Sequence, residues 1–198
     1  VVVNHNVNSL TIFQRDERFR ELYDLARYSF LDGMGVLAIA RLEGSRLRSR
    51  NRIAVLDWIW PLLERAEQEG WRITHVGGKA ATVEVARAAI ARRHPRLELT
   101  MLDGYFDHAK DAEDNRSRLA EIKASAPQIL LVGMGMPLQE HWILDNLGDL
   151  PHAVIITVGG IMGFLGNDRR TAPRWMGRLG VEWAFRVLTE PRRLIKRY

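Results

Sequence analysis

The sequence predicts an α/β protein with a Rossmann-like, mainly parallel sheet and helices on both faces. Short aliphatic segments alternate with amphipathic segments along the chain, which is typical of strands joined by crossover helices. Several of the aliphatic segments end at glycine, as in Asp32-Gly33, Gly77-Gly78, Gly133 and Gly159. A chain of 198 residues can bury one substantial core, and we predict a single domain over residues 1–198.

Six segments have the composition of strands, with aliphatic and β-branched residues that are bounded by polar residues or glycine. In chain order these predicted strands cover residues 1–3, 29–31, 71–76, 97–101, 129–132 and 153–158. The carboxyl ends of parallel strands meet at one edge of a sheet, and ligands of open α/β sheets bind at that edge. We therefore expect the glycine-containing strand ends to line a binding site.

Seven segments carry apolar residues at helical spacing or are rich in alanine. They cover residues 9–26, 34–42, 53–68, 80–93, 112–125, 140–147 and 175–188. Gly44 and Gly70 are predicted to end the second and third of these helices, and Pro191 to break the last. The pattern contains no internal repeat and no low-complexity linker.

Composition narrows the class of protein. The chain has no cysteine, which excludes disulfides and thiolate metal sites and agrees with a cytoplasmic location. No apolar run reaches the roughly 18 residues that a membrane span needs, and no signal peptide is visible. The histidines are scattered, so we expect no metal site. The chain begins with Val1 rather than Met, so we expect it to lack N-terminal residues.

Positive charge is concentrated in two segments of a chain whose net charge is +5. Residues 41–52 include five arginines, and residues 186–198 include four arginines and a lysine with one acidic residue. Such clusters suit nucleic acid, anionic lipid or phosphorylated substrates, and a merely solvated basic face stays open. Aromatic residues do not alternate with the basic ones as stacking platforms for nucleic acid would, so we expect no nucleic-acid partner.

The most informative segment covers residues 128–142, QILLVGMGMPLQEHW. A buried strand leads into Gly133 and Gly135, and Gln139 and Glu140 open the next helix. Glycine lets the backbone approach a ligand, and the N–H groups at the start of a helix favour phosphate. Gly78, before another helix, is a second candidate, but the dinucleotide fingerprint is not matched.

Three further strand ends carry side chains that suit chemistry. Asp32 can act as a general base if an acceptor hydroxyl comes within hydrogen-bond distance, or it can simply cap the following helix. Asn4 and Asn6 end the first strand and can line the same edge. Tyr105 can stack on a base or a sugar ring, or pack in the core.

Several motifs occur together in a known order. They are LDGMG at residues 31–35, DGYF at 103–106, GMGMPLQE at 133–140, VGG at 158–160, APRW at 172–175, GVEWAFR at 180–186 and EPRR at 190–193. In this order they resemble the WecG/TagA/CpsF glycosyltransferase family (glycosyltransferase family 26), over essentially the whole chain. Relatives often have threonine where Asn4 stands and aspartate where Gly163 stands.

The resemblance implies an inverting, metal-independent transferase without a cofactor. It moves a sugar from a nucleotide-sugar donor, typically UDP-linked, to a polyprenyl-diphosphate-linked glycan acceptor. Its products feed cell-wall or exopolysaccharide synthesis. Many relatives continue into a basic C-terminal appendage that completes the active site and attaches to membrane. We expect the chain to lack this appendage and to lie peripherally on the inner face of the cell membrane.

The resemblance also assigns roles to residues. Asp32 falls on the proposed catalytic base, and Tyr105 and Gln139 fall on positions implicated in nucleotide binding. Arg52 matches an arginine of the family's central loop, and we expect it to contact diphosphate. The predicted substrate-binding set is Asn4, Asn6, Arg52, Gly78, Tyr105, Gly133, Gly135, Gln139 and Gly160. We also expect an anionic membrane surface as a partner through the 186–198 tail. A homo-oligomer is left open, and so is the alternative of a non-catalytic module that binds nucleotide or anionic lipid.

Overall fold

The fold is described from a computed structural model, which describes residues 1–166 together with Met176 and Phe185. Within this part the strands are β1 (Val2–His5), β2 (Tyr28–Leu31), β3 (Ile73–Gly77), β4 (Leu99–Leu102), β5 (Ile129–Gly133) and β6 (Val154–Thr157). The helices are α1 (Val7–Arg15), α2 (Glu17–Leu25), α3 (Met34–Leu42), α4 (Val55–Glu69), α5 (Ala80–Arg93), α6 (Glu113–Ala124), α7 (Leu138–Asn146) and α8 (Met162–Leu165), with a short 3-10 helix at Ser49–Asn51.

The six strands form one sheet in the order β2-β1-β6-β5-β3-β4, and every pairing is parallel. This confirms the predicted Rossmann-like sheet. The central strands β3 and β5 are buried along their whole length, because helices cover both of their faces. All six strands run in the same direction, so the predicted site residues at their carboxyl ends lie along one edge of the sheet.

Each face of the sheet has its own apolar core. Helices α4, α5 and α8 pack on one face, with Ile59, Ile90 and Met162 among the buried residues. Helices α2, α6 and α7 pack on the other, where Leu22 and Trp142 are buried. The helix after β5 therefore covers one face and the helix after β6 covers the opposite face. Ligands of open α/β sheets bind at the carboxyl ends of neighbouring strands whose helices diverge in this way.

One predicted helix is wrong in its extent. Residues 9–26 form two helices, because Asp16 ends α1 and begins α2. Its backbone N–H donates to the carbonyl of Ile12 (2.9 Å), and its side chain accepts from the N–H of Phe19 (3.0 Å). An aspartate in this extended conformation is a good N-cap, and the apolar spacing continues across the break.

The other element predictions agree with the structure to within a few residues at each end. Gly70 ends α4 in a left-handed conformation, as predicted. The short helices Ser49–Asn51 and α8 were not predicted, because three or four residues carry too little periodicity to detect. The predicted helix 175–188 lies outside the described residues, apart from Met176 and Phe185.

The structure bears on two expectations from the sequence, which concern membrane spans and metal sites. Within residues 1–166 no helix combines the length and the apolar character that crossing a bilayer requires. In the same part, no three histidine or carboxylate side chains come together in a way that would hold a metal ion. The metal-free expectation itself stays a prediction.

Candidate active site

The predicted site residues lie in a row along the carboxyl edge of the sheet. Asp32 follows the edge strand β2, and Tyr105 follows the opposite edge strand β4. Neighbouring strands lie about 4.8 Å apart, so the five strand spacings between them separate the two ends by roughly 24 Å. The other predicted residues lie at the ends of the four strands between, except Arg52, which lies beside β2. The row is long enough for a ligand with two chemically different ends.

Asp32 is linked to the centre of the sheet through Asn4. The Asn4 amide nitrogen Nδ2 donates to Asp32 Oδ2 (3.4 Å), and the Asn4 oxygen Oδ1 accepts from the hydroxyl of Thr157 (3.1 Å). Asn4 is buried, and the Tyr23 hydroxyl donates to its backbone carbonyl (2.7 Å). Because Thr157 occupies the amide oxygen, the NH₂ group of Asn4 faces the carboxylate. The sheet thus presents a donor to Asp32 from a fixed direction.

The alternative structural role of Asp32 is not observed. The N-cap of α3 is Gly33, in a positive-φ conformation (φ 109°), and no side chain caps this helix. The backbone N–H of Asp32 donates to the carbonyl of His5 (2.7 Å), which continues the β1–β2 ladder by one residue. The carboxylate therefore lies at the strand end without serving as a helix cap.

Arg52 is brought to the same strand end by an extension of the sheet. It forms an isolated parallel bridge with Leu31, and the N–H of the next residue, Ile53, donates to the carbonyl of Leu31 (2.9 Å). The guanidinium nitrogen Nη1 of Arg52 lies 3.2 Å from Asp57 Oδ2. Arg52 and Asp32 are thus neighbours across the edge of the sheet, although 20 residues separate them in sequence.

The glycine loops after β5 and β6 are joined by Gln139. Its side-chain oxygen Oε1 accepts from the backbone N–H of Gly135 (3.3 Å) and from that of Gly159 (3.2 Å). Its nitrogen Nε2 donates to Glu140 Oε1 (2.6 Å). The Gln139 side chain is fully buried, so its polar atoms hold the loops after β5 and β6 together. Direct contact between Gln139 and substrate stays a prediction.

Glu140 is a carboxyl group inside the protein. It is fully buried, and its second oxygen Oε2 has no hydrogen-bond partner in the described part of the chain. Burial raises the pKa of Glu140 to about 7, and the hydrogen bond from Gln139 opposes this rise. This carboxyl group therefore changes protonation state close to neutral pH.

Comparison with known protein families establishes the family of this chain. The whole chain, residues 1–198, matches the model of the Glycosyl transferase WecG/TagA/CpsF family. The chain belongs to this family.

The protein is therefore a glycosyltransferase, and the predicted resemblance is confirmed. A relative from Bacillus spizizenii is described as N-acetylglucosaminyldiphosphoundecaprenol N-acetyl-beta-D-mannosaminyltransferase. It is 29% identical to this chain over 180 residues, which is 90% of this chain and 67% of the relative.

At the β4 end of the glycosyltransferase sheet, Tyr105 projects into solvent. Its side chain is 71% exposed, which excludes the alternative of core packing. The backbone N–H of Tyr105 is held by Asp103 Oδ1 (3.0 Å), and Asp103 Oδ2 pairs with Arg118 (3.2 Å). The loop that carries the ring is thus fixed by its neighbours, while the ring remains available for stacking.

The middle of the edge is packed backbone against backbone. A Cβ added to Gly77 would lie 2.3 Å from the carbonyl carbon of Gly133, and one added to Gly104 would lie 2.7 Å from Gly77 Cα. Gly104 also donates its N–H to the carbonyl of Gly78 (2.8 Å). These glycines are required by the close approach of the strand ends. The predicted contacts of Gly78, Gly133 and Gly160 with substrate stay predictions.

The structure joins some predicted residues and leaves others apart. Asp32 and Asn4 are in contact, with Arg52 at the adjacent position. Gln139 contacts Gly135, and the Asn6 amide approaches Met136 Sδ (3.7 Å), which joins the loops after β1 and β5. Tyr105 and Gly78 lie at the other end and share no contact with Asp32.

Three buried or half-buried polar residues near the edge were not predicted from the sequence. Thr157 orients Asn4, Tyr23 binds its backbone, and His75 is fully buried beside Gly133. Neither ring nitrogen of His75 has a partner within the described residues, and burial lowers its pKa to about 3. A polar residue inside an otherwise apolar strand, as in ITHVG or VIIT, is the signal that was available.

Proposed function

We propose that this glycosyltransferase transfers an N-acetylhexosaminyl group from a UDP-linked donor to a polyprenyl-diphosphate-linked glycan, with Asp32 as the general base. The product would enter cell-wall or exopolysaccharide synthesis. Family membership supports sugar transfer, and the name of the Bacillus spizizenii relative supports a lipid-diphosphate acceptor and an N-acetylated sugar. A non-catalytic binding module is not favoured, because the family is one of transferases.

The observation that carries the proposal is the position of the Asp32 carboxylate. It lies at the end of β2, receives a hydrogen bond from Asn4 and adjoins Arg52. In an inverting transfer the acceptor hydroxyl attacks the anomeric carbon from the side opposite the leaving diphosphate. A carboxylate that removes the hydroxyl proton during attack lowers the barrier. The hydrogen bond from Asn4 to Oδ2 helps to orient the Asp32 carboxylate at the strand end, where the acceptor hydroxyl would approach it.

The leaving group needs compensation for its negative charge. In the proposed arrangement the Arg52 guanidinium and the backbone N–H groups of the glycine loops supply it. Tyr105 would stack on the uracil ring, and the row between Tyr105 and Asp32 would accommodate the diphosphate and the sugar. Roles for Asn6, Gly78, Gly133, Gly135 and Gly160 as backbone or amide contacts with the donor belong to this proposal.

Asp32→Asn tests the base directly. The amide keeps the size of the carboxylate and its acceptor oxygen but cannot take a proton at neutral pH. We expect kcat to fall by about 10²–10⁴-fold while the Kd for UDP, measured by calorimetry, stays within about twofold.

Asp24→Asn, on the exposed surface of α2, is the matched control and should keep full activity. The assay uses UDP-N-acetylhexosamines with a short-chain polyprenyl-diphosphate-linked N-acetylhexosamine. Unchanged turnover in Asp32→Asn would remove Asp32 from the mechanism.

Two further predictions lie mainly outside the described residues. The helix 175–188 and the basic tail 186–198 are expected to contact an anionic membrane surface. A homo-oligomer also stays open. Flotation with anionic vesicles and light scattering of the full chain would test these two points.

A further inference from the structure

Helix α3 presents an apolar face to solvent. Val36 and Leu37 are buried on its inner side, whereas Ala38, Ile39 and Leu42 are exposed, with 86% of the Leu42 side chain accessible. Positions i, i+1 and i+4 share one face of a helix. The outer face of a surface helix is normally polar, because water covers it. This helix therefore lacks a polar outer face at the position where one is expected.

The segment after α3 is strongly basic and folds back on the end of the helix. The Arg41 nitrogen Nε donates to the backbone carbonyl of Leu47 (2.8 Å), which fixes the turn of the chain. The next three arginines, Arg46, Arg48 and Arg50, have exposed side chains. None of these three forms an ion pair with another residue in the part of the chain that the structure describes.

The apolar face of α3 and the basic segment after it both lie close to Asp32, the proposed catalytic base. Helix α3 begins directly after Asp32-Gly33, and the basic segment returns to the sheet at the bridge between Leu31 and Arg52. Both ends of residues 34–51 are therefore anchored at the β2 strand end. A surface that contacts this segment would lie next to the Asp32 carboxylate.

We propose that α3 and the arginines that follow it form a membrane-docking surface, in which Ile39 and Leu42 enter the headgroup region of a bilayer and Arg46, Arg48 and Arg50 bind anionic lipid phosphates. The proposal rests on the proposed function, because a lipid-linked acceptor carries its diphosphate at the membrane surface. Docking beside Asp32 would bring that diphosphate and its sugar to the base without extracting the lipid.

The charge and the apolar face together select a bilayer over other partners. Nucleic acid would pair with the arginines but offers no apolar phase for Leu42. An apolar protein surface would cover Leu42 but would leave three arginines beside it without counter-charge. An anionic bilayer satisfies both features, because apolar burial and electrostatic attraction act together at an interfacial helix.

Co-sedimentation of the full chain with vesicles tests the proposal. The vesicles contain either phosphatidylcholine alone or phosphatidylcholine with 30% phosphatidylglycerol (about one anionic lipid in three, as suits an anionic leaflet). We expect salt-sensitive binding to the anionic vesicles. Each arginine near an anionic leaflet strengthens binding about fivefold, so Arg46→Gln/Arg48→Gln/Arg50→Gln should weaken it by about 100-fold. Ile39→Ser/Leu42→Ser should weaken it by at least about fivefold.

Matched controls come from exposed residues of other elements of the fold. The exposed Arg92, Arg96 and Arg116 are changed to glutamine as one variant, and the exposed Val85 and Val154 to serine as another. Both should bind vesicles like the original chain. Equal weakening by the two arginine variants would overturn the proposal, since net charge alone would then explain binding. Absence of anionic-vesicle binding by the original chain would overturn it as well.

Activity on two acceptors separates this proposal from the proposed function. On a short-chain, water-soluble acceptor, the α3 and arginine variants should keep the original kcat/KM. On a long-chain acceptor embedded in anionic vesicles, they should lose activity in parallel with binding. Failure of all chains on the soluble acceptor would contradict the proposed function and leave vesicle binding as an independent result. Equal activity of all chains on the embedded acceptor would overturn the docking surface.

Discussion

The carboxyl group of Glu140 determines which way the Gln139 amide points. Gln139 Nε2 donates to Glu140 Oε1 over 2.6 Å, so the amide oxygen is turned toward the N–H groups of Gly135 and Gly159. An amide has one donating and one accepting end, and reversing it would break all three hydrogen bonds. The two adjacent side chains therefore act as a unit that joins the loops after β5 and β6.

Exchanging the two side chains should reveal this coupling. Gln139→Glu places a second carboxylate against Glu140 in a buried site, and we expect it to lower the free energy of unfolding by about 3 kcal/mol. Adding Glu140→Gln should recover most of that loss. In the double variant a carboxylate can accept from both glycine amides and from the new amide at position 140. Urea unfolding of the four chains measures the coupling energy.

The exposed pair Gln14 and Glu17 offers the control for this exchange. The same swap there should change the free energy of unfolding by less than about 0.5 kcal/mol. If the effects at 139 and 140 simply add, the two residues do not act as a unit.

His75 should make stability depend on pH. Burial lowers its pKa to about 3 from 6.5, so the unfolded chain binds a proton at a pH where the folded chain does not. Neutral His75 adds to the free energy of unfolding in full above pH 6.5, and this contribution is lost as the pH falls from 6.5 toward 3. Within this range the free energy of unfolding changes by up to about 1.4 kcal/mol per pH unit because of His75. His75→Leu should remove this dependence.

Comparison with His75→Leu is needed because Glu140 acts in the opposite direction. With a pKa raised to about 7 from 4.5, Glu140 favours the folded state most below pH 4.5 and loses that contribution as pH rises through 7. The difference between the original chain and His75→Leu, measured by chemical unfolding at several pH values, isolates His75. The same substitution at the exposed His152 is the control. Parallel pH profiles for the original chain and His75→Leu would contradict the prediction.

The sheet could be predicted because its signals are local. Aliphatic runs that end at glycine define β3 and β5, and parallel strands must align their ends at one edge. Asp32 could be selected for the same reason, as an acid that directly follows a strand. The prediction failed at Asp16, where a single capping side chain divides one apolar pattern into two helices.

What the sequence could not predict depends on contacts between distant residues. Nothing in the sequence near Asn4 indicates that Thr157, 153 residues away, turns its amide toward Asp32. The burial of Gln139 likewise follows from how the loops after β5 and β6 meet. The motif indicated that Gln139 matters, and the fold indicates that it holds backbone in place.

Tyr105 should contribute to donor binding without contributing to stability. Its ring is 71% exposed, so Tyr105→Ala should change the free energy of unfolding by less than about 0.5 kcal/mol. Loss of a stacked base should raise the Kd for UDP by roughly tenfold, because one base–aromatic stack contributes about 1–3 kcal/mol. Tyr105→Phe keeps the ring and should bind UDP nearly as well as the original chain. Calorimetry with UDP distinguishes these outcomes, and equal affinity of all three chains would exclude stacking.

The close approach of Gly104 to β3 should not tolerate a methyl group. Neither Gly104 nor Gly148 has a positive φ, so both accept alanine as far as backbone conformation is concerned. An added Cβ at Gly104 would lie 2.7 Å from Gly77 Cα, whereas at Gly148 it would meet nothing within 4 Å. Since the three nearest atoms at Gly104 all belong to the backbone of Gly77 and Gly78, the strand ends must separate. We expect Gly104→Ala to lower the free energy of unfolding by about 2–3 kcal/mol and Gly148→Ala to leave it nearly unchanged. Thermal unfolding of the original chain and of the two variants measures these changes. Equal stability of the two variants would show that the loop after β4 moves aside at little cost.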